Sequence, residues 1–152
     1  MWGRPPMVLM RKRRTTLDNP NLVLDIEQHI EVGSPLAAAF EGLVRQLTDR
    51  SVIPLKLERF PGGRWYRDLG EGSGHLWGLV QVIKPPTLIE IQGPLFMSYP
   101  VAGHVQFRLT EVPGGTRVTV RHRAFGLIEA AHREGVGKGW EQILGGIPGS
   151  IG

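Results

Sequence analysis

Three features of this 152-residue sequence predict an α+β fold, a curved antiparallel sheet with helices against one of its faces. The first is a long segment from Glu129 to Ile147, in which Val136, Trp140, Ile143, Leu144 and Ile147 recur at spacings of three and four. A period of 3.6 gathers them on one helix face. The second is a series of upstream segments that alternate apolar and polar residues, the period of half-buried strands. The third is their order: strand, helix, a short irregular piece, several strands joined by tight turns, then the final helix.

Taken along the chain, residues 1–20 mix proline, arginine and asparagine without periodicity and read as a disordered basic tail. The folded domain is expected over 21–147. Leu22, Leu24, Ile26, Ile30 and Val32 alternate with Asp25, Glu27, His29 and Glu31, and Gln28 is the one polar residue on the apolar side. Ser34 is placed to cap a helix and Pro35 to open it, and Leu36, Phe40, Leu43, Val44 and Leu47 follow at helical spacing. Pro54 argues for an edge strand or a break over residues 50–60.

After the Pro61-Gly62-Gly63 turn, Trp65, Arg67 and Leu69 fall opposite Arg64, Tyr66 and Asp68. Gly70 to Gly74 is a hairpin turn, and no helix follows to make it a phosphate loop. His75 to Ile83 and Thr87 to Gln92 are strands separated by Lys84-Pro85-Pro86. His104 to Val112 and Thr116 to Phe125 form the clearest hairpin around Pro113-Gly114-Gly115. In its second strand Val118, Val120, His122 and Ala124 share the apolar side, while Arg121 and Arg123 share the other. Gly145-Gly146 and Pro148 are expected to end the last helix and leave 148–152 as a C-terminal tail.

Composition narrows the function classes. An apolar share of 41% in a chain of this length suits one globular core, and no apolar run approaches the roughly 20 residues that span a bilayer. The absence of cysteine excludes disulfides, thiolate metal sites and cysteine nucleophiles, and the expected compartment is the cytoplasm. Met1 to Met10 lacks the order of an export signal. The net charge of +4 is exceeded by Arg4, Arg11, Lys12, Arg13 and Arg14 alone, which leaves −1 for the remainder and makes nucleic acid an unlooked-for partner.

The order of elements, together with Ile30-Glu31-Val32 then Ser34-Pro35 before a helix, Gly114-Gly115-Thr116 between two strands, and Gly139-Trp140 in the last helix, resembles a known group. It is similar to the START-related SRPBCC superfamily, in the branch named for the activator of heat-shock-protein-90 ATPase homologue, over Leu22 to Ile147. The resemblance implies a helix-grip fold, in which a strongly bent antiparallel sheet wraps the long C-terminal helix and a short helix pair follows the first strand. A largely apolar cavity lies between sheet and helix in such a fold. Many relatives carry tryptophans after the first helix where this chain has Leu55-Lys56-Leu57-Glu58, so the cavity mouth is expected to differ. The family holds lipid carriers, hormone receptors, cyclases and chaperone-associated domains, and fold alone does not choose among them.

The expected ligand-binding residues are Gln28, Trp65, Arg67, Trp77, Phe107, His122, Val136, Gly139, Trp140 and Ile143. Tyr66, Phe96 and Tyr99 extend the aromatic set, and aromatic walls with few polar groups suit a flat or aliphatic ligand. In the family's sheet order the first and last strands are neighbours, which would set Gln28 against His122. Arg133 lies one turn before the Val136 stripe, placed for a ligand carboxylate. The five histidines form no short-spaced pair, so neither a metal nor another cofactor is expected, and no nucleophile motif appears.

The leading expectation is a non-catalytic module that binds a small hydrophobic or aromatic ligand, without membrane insertion. The alternatives are a cyclase or hydrolase using His122 and a chaperone-associated, protein-binding domain using the arginine face of the hairpin. Gly135, Gly137 and Gly139 interrupt the last helix at a cost of roughly 1 kcal/mol each. On a helical wheel Gly137 and Gly139 flank the apolar stripe and Gly135 points further out, so bare flanks are expected to leave space beside Trp140.

Overall fold

The computed structural model describes residues 22–151, and the tail expected over 1–20 lies outside the described residues. β1 (Val23–Val32) keeps its alternation: Leu24 and Val32 are buried, while Asp25, Glu27, His29 and Glu31 are exposed. α1 (Leu36–Leu47) buries Phe40, Leu43, Val44 and Leu47 from the expected stripe. Ser34 is not its cap. Pro35 holds that position with no side-chain bond to the helix, and the Ser34 carbonyl accepts the Thr116 hydroxyl at 2.7 Å. A single helix follows β1 where a pair was expected, because residues 48–55 carry no apolar stripe and fold into turns, with Arg50 N–H donating to Arg45 O at 2.8 Å.

The remaining strands are β2 (Lys56–Leu57), β3 (Arg64–Gly70), β4 (Ser73–Lys84), β5 (Leu88–Gln92), β6 (Val101–Val112) and β7 (Gly115–Gly126). All pair antiparallel in one curved seven-stranded sheet of order β1-β7-β6-β5-β4-β3-β2. Gly70, Glu71 and Gly72 all take positive φ at the β3–β4 turn, so the glycines there supply a backbone other residues resist. β1 and β7 are neighbours as expected, but Ile26 lies opposite His122 and Gln28 opposite Val120. Gln28 and His122 therefore do not face each other. Both point inward, two residues out of step.

Val118, Val120, His122 and Ala124 form the buried side of β7, and its outer side is less basic in effect than its sequence. Arg117 pairs with Glu31 at 2.6 Å and Arg121 with Asp25 at 3.1 Å, so β1 carboxylates offset two of its charges.

α2 (Ala130–Gly146) lies in the bend of the sheet against β1 and α1, burying Val136, Trp140 and Leu144. It runs through all its glycines. Gly145 and Gly146 keep ordinary helical backbone, and the chain continues into a 3₁₀ turn at Pro148–Ser150. The expected tail at 148–152 is thus packed structure over residues 148–151. Gln46 Nε2 donates to Ser150 Oγ at 2.6 Å and to Gly146 O at 3.1 Å, Arg45 donates to Ser150 O, and Ile151 packs on the core. Gly42 allows this approach, since a Cβ there would lie 2.9 Å from Ile151 Cγ1.

Candidate functional site

Beside α2, the inner face of the sheet and the turns after α1 leave a cleft of about 610 Å³, within the range of small-molecule sites. Its walls are mostly aromatic, and each ring is fixed by its neighbours. Trp65, inward on β3 and 1% exposed, donates its indole N–H to Leu47 O at the end of α1, 2.8 Å away. It meets Trp77 of β4 edge to face at 5.2 Å between centroids. Trp77 meets Phe96 at 6.0 Å, and Phe96 meets His132 of α2 at 5.2 Å. Trp140 closes the other side, held edge to face on Phe107 and His122, each at 5.6 Å.

α2 contributes a wall cut back to backbone. Ala131, Gly135 and Gly139, four residues apart, line the cleft, and a Cβ added at either glycine would meet no atom within 4 Å. Gly137 has a different role, because its Cβ direction leads toward β1, where Gln28 Nε2 is 3.6 Å away. Gly135, expected to point away, is part of the wall, since residues four apart on a helix fall 40° from one another.

Six expected residues come together on this cleft: Trp65, Trp77, Val136, Gly139, Trp140 and Ile143. Four do not. Phe107 and His122 lie behind Trp140, both 0% exposed. Gln28 lies on the β1 side of α2, donating to Gly137 O at 2.9 Å. Arg67, two residues along β3 from Trp65 and past the point where β4 bulges at Trp77, lines an adjoining depression of about 350 Å³ with Trp77, Leu95 and Phe96 instead of the cleft. Arg133 is likewise directed elsewhere, donating to Val23 O at 2.5 Å.

Residues the sequence did not single out include Ile53 and Leu95 from turns, and Arg50, His132 and Gln142 among the polar ones. His132 had a usable signal, four residues before Val136. Among the described residues, Arg50 is the one lysine or arginine on the cleft lining, and no carboxylate lines it. A neutral or anionic ligand suits such walls.

His122 is a buried histidine with one hydrogen-bond partner among the described residues. Its Nδ1 accepts the Trp140 indole N–H at 3.2 Å, which places the ring proton on Nε2, and Nε2 is buried without a partner among the described residues. Burial, aided by repulsion from His104, lowers its pKa from 6.5 to about 4. A base that is neutral, sealed and spent on an indole has no access to the cleft. Among the described residues no group of three or more potential ligands is placed to hold a metal ion. A broader depression of about 730 Å³ lies where β1 enters the sheet, edged by Asp25, His104, Arg123 and Phe125, and lacks aromatic walls of the cleft's kind.

A family model described as "Activator of Hsp90 ATPase homolog 1-like protein" matches residues 41–149. No curated protein matches the chain. Among solved structures, protein MLL2253 from Mesorhizobium loti superposes with a TM-score of 0.65 at 18% identity, over 84% of this chain and 96% of that one. CalU16 from Micromonospora echinospora gives 0.57 at 22% identity, over 85% and 75%. The di-domain ARO/CYC BexL from the BE-7585A biosynthetic pathway gives 0.62 at 16% identity, over 90% of this chain and 52% of its own length. At these identities the likeness establishes the helix-grip fold.

Proposed function

We propose that this chain, which belongs to the family of activator of Hsp90 ATPase homolog 1-like proteins, is a module that holds a small hydrophobic or aromatic ligand between its sheet and α2 without transforming it. One observation carries the reading: a cleft of about 610 Å³ has four aromatic side chains on its walls and a helix reduced to glycine where a ligand would lie. That glycine wall is maintained at a cost in helix propensity, which packing alone does not require where a Cβ would meet nothing. BexL, of the same fold, is an ARO/CYC of a biosynthetic pathway, which supports a small-molecule reading of the cleft.

A catalytic reading through His122 has little support, because His122 is 0% exposed behind Trp140. Among the described residues no helix is long and apolar enough to cross a membrane. The proposed setting is the cytoplasm, in keeping with a chain that has no cysteine.

Titration with anilinonaphthalene sulfonate, an apolar fluorophore with an anionic group, tests the site. The folded protein is expected to bind one equivalent with enhanced fluorescence. Gly139→Leu, which projects an isobutyl group into the cleft, is expected to weaken binding at least about tenfold while the thermal midpoint holds or rises, since leucine is the better helix former. Equal binding by both proteins would place the dye elsewhere and overturn the assignment.

A further inference from the structure

Three polar groups of the cleft wall are committed to the protein through both position and hydrogen bond. The Trp65 and Trp140 indoles donate to Leu47 O and His122 Nδ1, and the Gln46 amide donates to Gly146 O and Ser150 Oγ. His132 differs. Its Nδ1 lies 2.6 Å from the Tyr99 hydroxyl, whose oxygen accepts the Glu129 N–H at 3.2 Å. The phenol needs an acceptor for its own proton, and Nδ1 is the one within reach. The imidazole proton then sits on Nε2, as one also does when the ring is charged. Nε2 has no partner among the described residues, and His132 stands on the wall of the cleft.

The ring carrying this donor is held from two directions. It stacks on Tyr99, 5.5 Å between centroids with planes 14° apart, and meets Phe96 edge on at 5.2 Å and 86°. Its direction is set before a ligand arrives, which spares the ordering cost of binding. Among the described residues no carboxylate lines the cleft to take this donor, which leaves it open to an acceptor oxygen of a ligand.

We propose that His132, oriented by Tyr99, is the polar anchor of the cleft and receives the carbonyl oxygen of a planar ring compound, a specificity that rests on the ligand-binding reading above. Tyr99 is a positioning residue here. His132 sets which flat molecules stay.

Fluorene and fluorenone share one three-ring outline and differ by a single carbonyl oxygen, so they separate the anchor from the aromatic walls. Both are expected to bind the wild-type protein by tryptophan quenching. His132→Phe keeps an aromatic ring against Phe96 and Tyr99 but removes the donor, and is expected to weaken fluorenone about five- to tenfold and fluorene less than about twofold. Tyr99→Phe leaves the imidazole in place but frees its tautomer, and is expected to weaken fluorenone by a smaller factor and leave fluorene unchanged. Equal weakening of both compounds, or of neither, in His132→Phe would make His132 a wall without selectivity and overturn the anchor while the cleft stands. Failure of both compounds to bind the wild-type protein would remove the ligand-binding reading and the anchor together.

Discussion

Trp140→Ala is expected to lower the unfolding free energy by about 4 kcal/mol. The indole is 4% exposed and joins three parts of the molecule: Phe107 of β6, His122 of β7 and the cleft. Its removal leaves a ring-sized void against Phe107 and takes away the donor on which His122 Nδ1 depends. A buried imidazole would then have neither nitrogen paired, the second part of the expected loss. Trp140→Phe keeps most of the ring contact and loses only the N–H, so about 1 to 2 kcal/mol is expected there. Urea unfolding followed by circular dichroism measures both. A loss under about 1 kcal/mol for the alanine variant would mean that α2 is not held to the sheet through this residue.

Acid is expected to remove about 3 kcal/mol of stability between pH 6.5 and 4, ahead of general acid unfolding, through His122. The sign follows from the proton count. The unfolded histidine binds its proton near pH 6.5, whereas the folded one stays neutral until about pH 4, first because it is desolvated and then because His104 repels its charge. Between those values the unfolded state holds the extra proton, so stability is complete above pH 6.5 and falls as pH drops toward 4. The geometry agrees, since a proton on Nδ1 would confront the Trp140 N–H. Asp25, Glu41 and Glu90, held below their ordinary values chiefly by hydrogen bonds from Arg121, Arg59 and Gln106, lose their contributions at lower pH. His122→Gln, which can still accept from the indole but does not titrate, is expected to flatten the curve above pH 4.5. An unchanged slope in that variant would assign the loss to other groups.

Much of this arrangement was legible in residue periodicity. The alternation in β1 and β7 put Gln28 and His122 on the buried side, and the three-and-four spacing in α2 put Val136, Trp140 and Ile143 against the sheet and cleft. What periodicity lacks is offset. A period of two gives the face of a strand but not its register, so Gln28 and His122 share a face without sharing a rung. Arg67 keeps the one-face spacing from Trp65 on β3, but it lies past the bulge at Trp77 of β4 and meets the adjoining depression instead of the cleft.

The helix carried a similar ambiguity. His132 and Arg133 lie roughly 40° and 60° to either side of Val136 on a helical wheel, and only the packed structure decides that the first meets the cleft and the second meets β1. Ile53 and Leu95 reach the cleft from turns, where no periodicity exists to read. Residues 148–151 are too few to show a pattern, yet they close the core over Gly42.

The most direct measurement is to incubate the purified protein with cell extract, reisolate it, and identify by mass spectrometry what is released on denaturation. A small ring-containing or aliphatic compound, released from the wild-type protein and absent from Gly139→Leu treated in the same way, is the result expected of a ligand held between sheet and α2. A wild-type protein that returns empty, or one that carries the same compounds as Gly139→Leu, would contradict it.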